Sequence, residues 1–286
     1  MNMRTIEMKM MALAVVLAWS GMAQAGTVLL SDNYNGIETS TTDVNATLAA
    51  RQGGTLATTS YAAGGWLWSL VPGAGVGGTS ALQCADGGAG ASLGLERNWF
   101  AGQTTSLAGG GFTVAFDLNL VSAVTPSGKL FGVSFGCDSA WVEAPPTTTQ
   151  SSFAVAVDDS STLHVYLQGS DVFSMAVPGL TFDAYHRVQL SYAGTSLANG
   201  TGASLLLKVD GQWVDLNPSG SGSAYAFTMN NWGDPELNYL HLTNTGGWAS
   251  YVDNLEISTG VVPEPASLAL LGLGAAAWCV RRRRQG

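Results

Sequence analysis

The stretch Tyr185-His-Arg-Val-Gln-Leu-Ser-Tyr192 alternates apolar and polar residues, and Leu205-Leu-Leu-Lys-Val-Asp-Gly-Gln-Trp-Val214 follows it a short distance along the chain. Strict alternation is typical of a half-buried β-strand, because successive side chains point to opposite faces. The dipeptide Asp210-Gly211 is typical of a two-residue hairpin turn between antiparallel strands. These stretches therefore predict antiparallel β-structure from residue 185 to residue 216.

Similar patterns recur on both sides of this hairpin. The other predicted strands are Phe112–Leu120, Leu130–Phe135, Phe153–Val157, Leu163–Leu167, Ala224–Met229, Tyr239–Thr243 and Tyr251–Ile257. The chain has 37 glycines and only 11% charged residues, a composition that suits strands joined by turns. Between the two terminal segments, only Val44–Arg51 has a pattern suited to a helix, of two turns. Residues 26–258 are predicted to form one all-β domain.

The charge of the chain excludes one class of partner. The whole chain carries a net charge of −9. When both terminal segments described below are left out, eleven basic residues fall to five and twenty acidic residues fall to eighteen, which gives −13. A domain with a large negative net charge repels the phosphate backbone, so nucleic acid is excluded as a partner.

The N-terminal segment has the three parts of a secretory signal peptide. Arg4 and Lys9 make its start basic, Met10–Trp19 is an uninterrupted apolar run, and Ala23 and Ala25 are the small residues that a cleavage site requires. We predict that residues 1–25 are a signal peptide cleaved after Ala25. The alternative, a first membrane anchor, needs a longer apolar span.

The C-terminal segment also has three parts in order: Pro263-Glu264-Pro265, the uncharged run Ala266–Val280, and four arginines, Arg281, Arg282, Arg283 and Arg284. As a helix the run would span roughly 22 Å, less than the roughly 30 Å hydrocarbon core of a bilayer. The flanks decide the interpretation, because prolines permit a helix start and an arginine block suits an anionic cytoplasmic leaflet. We predict a single transmembrane helix here rather than an amphipathic helix packed on the domain, since the run has no polar face.

This ordered tail resembles the sorting signal of the PEP-CTERM family of exported bacterial proteins, over residues 263–284. The resemblance implies an exosortase as partner, which processes the chain near Pro263-Glu264-Pro265. It also implies export by the secretion machinery across the inner membrane, transient anchoring in the membrane, and then a place at the cell surface or in the extracellular matrix. Residues 259–262 would tether the domain to this signal.

A second, patchier resemblance covers residues 26–258. The hairpin quoted above, Phe112-Thr-Val-Ala-Phe116, the opening Val28-Leu-Leu-Ser-Asp-Asn-Tyr34 and the closing Tyr251-Val-Asp-Asn-Leu-Glu-Ile257 resemble strands of laminin-G-like, concanavalin-like domains. The resemblance implies an antiparallel two-sheet jelly-roll sandwich whose first and last strands are neighbours. In such sandwiches a structural calcium ion can lie between those two strands.

Asp32, Asn33 and Asp253 match the positions of such calcium ligands, and calcium takes oxygen donors of this kind. The alternative is that Asp32 and Asn33 cap a turn and that Asp253 bonds to neighbouring backbone. Cys84 and Cys137 are the two cysteines outside the C-terminal run. In an oxidising compartment they could form one disulfide, or they could be two buried thiols.

The sequence indicates the function of the domain less clearly than its export. Trp232 and Trp248 lie in Gly/Asn-rich stretches typical of ligand-binding loops, and tryptophan rings stack on sugars, although tryptophans also fill sandwich cores. The Glu-x-Asp-x-x-Glu spacing of glucanases with this architecture does not occur in the chain. We predict a non-catalytic structural or adhesive protein in an exopolysaccharide or biofilm setting, with a carbohydrate-binding module and a glycoside hydrolase as the alternatives.

Overall fold

The computed structural model describes residues 26–55, 60–64, 68–84, 91–95, 111–122, 130–137, 151–194, 200–218, 223–228, 239–244 and 249–260. These residues form two antiparallel sheets and one helical turn, α1 (Leu48–Arg51), with a short 3₁₀ turn at Val76–Gly78. The strands in chain order are β1 (Val28–Asp32), β2 (Gln52–Gly53), β3 (Tyr61–Gly64), β4 (Trp68–Val71), β5 (Ala81–Cys84), β6 (Ala91–Leu95), β7 (Phe112–Leu120), β8 (Leu130–Cys137), β9 (Ser151–Asp158), β10 (Thr162–Leu167), β11 (Ser170–Ala176), β12 (Tyr185–Ala193), β13 (Gly202–Val209), β14 (Gln212–Val214), β15 (Tyr225–Thr228), β16 (Tyr239–Asn244) and β17 (Ser250–Thr259).

The first sheet, sheet I, has the spatial order β14-β13-β12-β7-β17-β1-β2. In addition, β15 pairs with β13, β5 pairs with β17, and β4 pairs with β5. The second, sheet II, has the order β11-β10-β9-β8-β16-β6-β3. Strands that are far apart in the chain are thus neighbours in both sheets, as in a jelly roll. The predicted all-β, antiparallel two-sheet sandwich is confirmed.

The apolar faces of the two sheets meet in one core. Phe112 of β7 lies 5.4 Å, centroid to centroid, from Phe135 of β8, and Phe116 lies 6.2 Å from Phe131 in an edge-on contact. The side chains that alternate with them along β7 point away from the core, as the pleat of a strand requires. The alternation seen in the sequence therefore corresponds to an inner apolar face and an outer polar face.

The ends of the domain lie side by side. β1 pairs with β17 with Ser31 opposite Glu256 and Asp32 opposite Leu255, so the predicted pairing of first and last strands is confirmed. The backbone N–H of Thr259 donates to the carbonyl of Thr27 at 3.0 Å. Both ends of the domain therefore leave it at one strand pair.

Two local predictions were imprecise. The helix predicted over Val44–Arg51 is the single turn α1, because Thr47 adopts a left-handed conformation (φ 58°) that stops the helix from extending backwards. Strand β11 was missed, since it lies at the edge of sheet II and five of its seven residues are exposed, with only Phe173 and Met175 partly buried against the core. It joins β10 through Gln168 and Gly169, both at positive φ, which is the turn geometry that Asp210 and Gly211 adopt in the hairpin that was predicted.

No helix within the described ranges is long and apolar enough to cross a membrane. The predicted signal peptide, with Ala23 and Ala25, and the predicted tail, with Pro263, Glu264, Pro265 and Arg281 to Arg284, lie outside those ranges. Both segments stay predictions of the sequence at this point.

Candidate functional site

Four polar side chains form a row across the outer face of sheet I. In the strand register Tyr185 lies opposite Asn119, Asn119 lies opposite Tyr251, and Tyr251 lies opposite Gln83. Directly opposed residues share one face of a sheet. Their chain neighbours Leu118 and Val252 are buried in the core, so the row faces outward, and all four residues are partly exposed. We call Tyr185, Asn119, Tyr251 and Gln83 the polar row.

The hydrogen bonds of the polar row are incomplete. Gln83 Nε2 donates to the Tyr251 hydroxyl at 3.0 Å, and the Tyr185 hydroxyl donates to the carbonyl of Ala74 at 2.7 Å. Asn119 Oδ1, between the two tyrosines, is buried and accepts no hydrogen bond from any residue that the structure describes. A buried acceptor without a donor costs about 1–3 kcal/mol and is uncommon in folded proteins. The centre of the row is therefore a polar group that folding does not satisfy.

A glycine-rich loop, residues 72–80, borders the polar row. Asp253 Oδ2 accepts from the backbone N–H of Val76 and from Thr79 Oγ1, both at 3.0 Å. A Cβ on Gly75 would lie 2.7 Å from Asp253 Oδ2, so only glycine allows this approach. Asp253 has no exposed surface, and burial raises the pKa of its carboxyl above the ordinary value. The loop is thus held at two points: by the Asp253 carboxylate, and by the Tyr185 hydroxyl, which donates to the carbonyl of Ala74.

A charged group lies beside the loop on the same face. Asn254 adopts a left-handed conformation (φ 48°) at a bulge in β17, and its Nδ2 donates to Asp117 Oδ2 at 2.7 Å. Arg187 Nη1 donates to the carbonyl of Asn254 at 2.7 Å and lies 3.5 Å from Asp117 Oδ1. Asp117 therefore has a cationic partner and does not add an unbalanced charge next to the polar row.

Asp32, a predicted calcium ligand, belongs to a buried network of protein donors. Arg51 Nε lies 3.1 Å and 3.2 Å from its two carboxylate oxygens. Gln52 Nε2 donates to Asp32 Oδ2 at 3.0 Å, the Tyr61 hydroxyl donates to the same oxygen at 2.7 Å, and the N–H of Tyr34 donates to Oδ1 at 2.9 Å. Both oxygens are therefore occupied by donors, one of them a guanidinium.

The other two predicted ligands have separate partners. Asn33 is exposed, and its Oδ1 accepts from the N–H of Asn35 at 3.1 Å. Asp253 holds the glycine-rich loop. The described residues contain no group of three or more histidine, cysteine or acidic side chains placed to hold a metal ion. Each of the three predicted ligands has its own protein donors, and calcium binding stays a prediction.

The two histidines whose side chains are described are both engaged by acids. His164 Nδ1 lies 2.8 Å from Asp171 Oδ2, and its Nε2 lies 3.4 Å from Asp158 Oδ2. His186 Nδ1 lies 2.7 Å from Asp210 Oδ2, and its Nε2 accepts from the N–H of Thr181 at 3.2 Å. A general base for a serine or cysteine nucleophile needs one ring nitrogen facing that nucleophile. Neither ring meets this condition, because both of its nitrogens are used.

The remaining predicted site residues divide into two groups. Trp232 and Trp248 lie outside the described residues, so their role as sugar-stacking rings stays a prediction. Cys84 is buried in β5, and burial raises the pKa of its thiol to about 11. The side chain of Cys137, at the end of β8 in the other sheet, is not described. The disulfide also stays a prediction.

Neither the polar row nor the Asp32 network was predicted from the sequence. Each of the four residues of the row lies on a different strand, so only the strand register brings them together. The sequence signal that was available is small: polar residues at the outward positions of the alternation in β7 and β17.

Different known proteins resemble the C-terminal segment and the β-sandwich. Residues 261–284 match the PEP-CTERM protein-sorting motif, which marks exported proteins that an exosortase sorts. No curated protein matches the chain significantly in sequence.

Among solved structures, a carbohydrate esterase, vb_24B_21 of the Shiga toxin-encoding bacteriophage phi24B, is similar with a TM-score of 0.50 and 16% identity, over 83% of this chain and 100% of that one. A Bacillus subtilis protein of unknown function with a galectin-like fold gives 0.47 and 10%, over 85% and 100%. The carbohydrate recognition domain of Emp47p gives 0.42 and 13%, over 84% and 100%. At these identities the likeness concerns the fold alone.

Proposed function

We propose that the protein is exported, processed by an exosortase, and retained at the cell surface or in the extracellular matrix as a non-catalytic structural or adhesive β-sandwich in an exopolysaccharide setting. The observation that carries this proposal is the match of residues 261–284 to the sorting motif, at the far end of a chain that starts with a signal-peptide pattern.

The fold is consistent with a β-sandwich that is separable from its terminal sorting signals. β1 and β17 pair with each other, and Gly260, the last described residue, still donates its N–H to the carbonyl of Gly111 at 2.8 Å. The last strand and its hydrogen bonds are therefore complete before the sorting motif begins at residue 261. All the described strands lie between the two terminal segments, as a processed extracellular domain requires.

The described polar groups support a non-catalytic role. His164 and His186 use both ring nitrogens on neighbouring groups. Asp32 and Asp117 are paired with Arg51 and Arg187, and the buried carboxylate of Asp253 accepts from the glycine-rich loop. A hydrolase needs a pair of carboxyl groups, or a nucleophile and its base, facing a common substrate position.

A carbohydrate-binding module is the second candidate. Trp232 and Trp248 would supply stacking surfaces, and the partly exposed polar row on sheet I supplies amide and phenol groups of the kind that bond to sugar hydroxyls.

Export and processing are tested by comparing cells with and without the exosortase gene. In the presence of the enzyme the protein should be in the matrix fraction, and in its absence it should stay in the membrane fraction with its tail. A glycan array separates a binding module from an inert structural domain, and Trp232→Ala and Trp248→Ala should abolish a signal that depends on the loops. Release of reducing sugars from polysaccharides would contradict the non-catalytic assignment.

A further inference from the structure

We infer that the polar row on the outer face of sheet I is a binding site for a neutral polysaccharide chain, with Asn119 as its central hydrogen-bonding residue. The inference deepens the proposed function, on which it rests, by placing the ligand on a sheet face rather than on the tryptophan loops. It concerns Tyr185, Asn119, Tyr251 and Gln83, which are all partly exposed.

The row has the length and the groups of a glycan site. Four opposed residues on neighbouring strands cover three interstrand spacings, about 14 Å. Two phenol rings, Tyr185 and Tyr251, lie on either side of the Asn119 amide, and the Gln83 amide follows. Aromatic rings offer a flat apolar surface with a polar tip, and amides both donate and accept hydrogen bonds. A sugar unit presents the complementary pattern, because its C–H faces are apolar and its hydroxyl groups donate and accept.

Asn119 provides an acceptor that lacks a hydrogen-bond donor in the described part of the chain. Among the described residues nothing donates to its Oδ1, although that atom is buried. The Tyr251 hydroxyl accepts from Gln83 Nε2, which leaves its own proton to donate. A ligand hydroxyl that donates to the amide and accepts from the phenol would satisfy both groups, once a local rearrangement exposes the buried Asn119 Oδ1.

The surroundings fix the row and select against acidic ligands. The Tyr185 hydroxyl is held by the carbonyl of Ala74, and the loop that carries Ala74 is fixed by the Asp253 carboxylate. This anchoring of Tyr185 lowers the cost of ordering that side chain when a ligand binds. The row contains no charged residue, Arg187 is paired with Asp117, and the chain has a net charge of −9, so an anionic polysaccharide is repelled.

The test measures binding of the full chain, purified in detergent, to hydroxyethylcellulose and dextran as neutral probes and to alginate as an acidic probe, by affinity gel electrophoresis. We expect retardation by at least one neutral polysaccharide and none by alginate. Asn119→Ala should weaken that binding about tenfold, as the loss of one or two well-made hydrogen bonds predicts. Its unfolding midpoint in urea should be equal to or higher than that of the wild type, because an unsatisfied group is removed.

Gln189→Ala is the matched control. Gln189 is an amide on the same outer face of β12, opposite Ala115 and about 13 Å along the strand from Tyr185, and it should leave binding unchanged. If Asn119→Ala binds like the wild type while Trp232→Ala or Trp248→Ala abolishes binding, the row is not the site and carbohydrate binding itself survives. Absence of binding to both neutral probes, or equal binding to alginate, overturns the inference, while the matrix location is scored separately by fractionation.

Discussion

Asp32→Asn is the substitution whose effect the structure defines best. The Asp32 carboxylate is fully buried and accepts from the Arg51 guanidinium, the Gln52 amide, the Tyr61 hydroxyl and the N–H of Tyr34. The substitution keeps the size of the side chain but replaces one acceptor oxygen by an NH₂ group, which would face donors. It also leaves the Arg51 guanidinium buried without a counter-charge.

The expected loss of stability is about 3–5 kcal/mol, the usual cost of removing one partner of a buried ion pair. Arg51 cannot escape to solvent easily, because it also donates to the carbonyl of Ala46 at 2.9 Å and its guanidinium carbon lies 5.4 Å from the centroid of the Tyr34 ring. Domains of this type unfold with a free energy of about 5–15 kcal/mol, so the loss is a large part of the total.

Urea unfolding of the wild type, Asp32→Asn, Arg51→Met and the double variant measures the loss. The double variant should be less destabilised than the sum of the two single variants by about 1–3 kcal/mol, because the second substitution removes the stranded partner. Glu38→Gln, an exposed acid nearby in the chain, is the control and should change the free energy of unfolding by less than about 0.5 kcal/mol. A cost below about 1 kcal/mol for Asp32→Asn would show that the network is not the stabilising unit described above. A rise in wild-type stability on addition of calcium that Asp32→Asn removes would instead restore the calcium interpretation.

Three further predictions concern other parts of the domain. Gly211→Ala should lower the free energy of unfolding by about 1 kcal/mol, since Gly211 has φ 76° in the hairpin turn, and an unchanged urea midpoint would contradict this. Because burial raises the pKa of Asp253 above 3.8, its protonation favours the folded state, and this contribution is present at low pH and lost as the pH rises through the raised value. Asp253→Asn should remove that part of the pH dependence of unfolding, and identical pH profiles would refute the assignment. For the cysteines, alkylation of the unfolded, unreduced protein should label neither Cys84 nor Cys137 if they are bridged, whereas labelling of both disproves the disulfide.

The sequence predicted the strands well because their signal is local. Phe112–Leu120 was predicted with the bounds of β7, since its alternation reflects one buried and one outer face. The edge strand Ser170–Ala176 places only Phe173 and Met175 against the core, which is too short an alternation to be recognised in the sequence. Sheet register, by contrast, depends on contacts between distant segments.

The sites were less predictable for the same reason. Arg51 looks like an ordinary surface residue in the sequence, yet it is buried against Asp32, nineteen residues earlier. Asp32 and Asp253 were correctly expected on neighbouring end strands, but the sequence could not show that each has its own set of protein donors. Asn119 could be recognised as unusual only once the residues around it were known.

The most direct test of the central claim is the intact mass of the protein recovered from the extracellular matrix of the producing cells. We predict a single chain that starts at Gly26 and ends near Pro263-Glu264-Pro265, without Arg281 to Arg284. Recovery of the chain mainly from the cytosol, with residues 1–25 and the arginines still present, would contradict it.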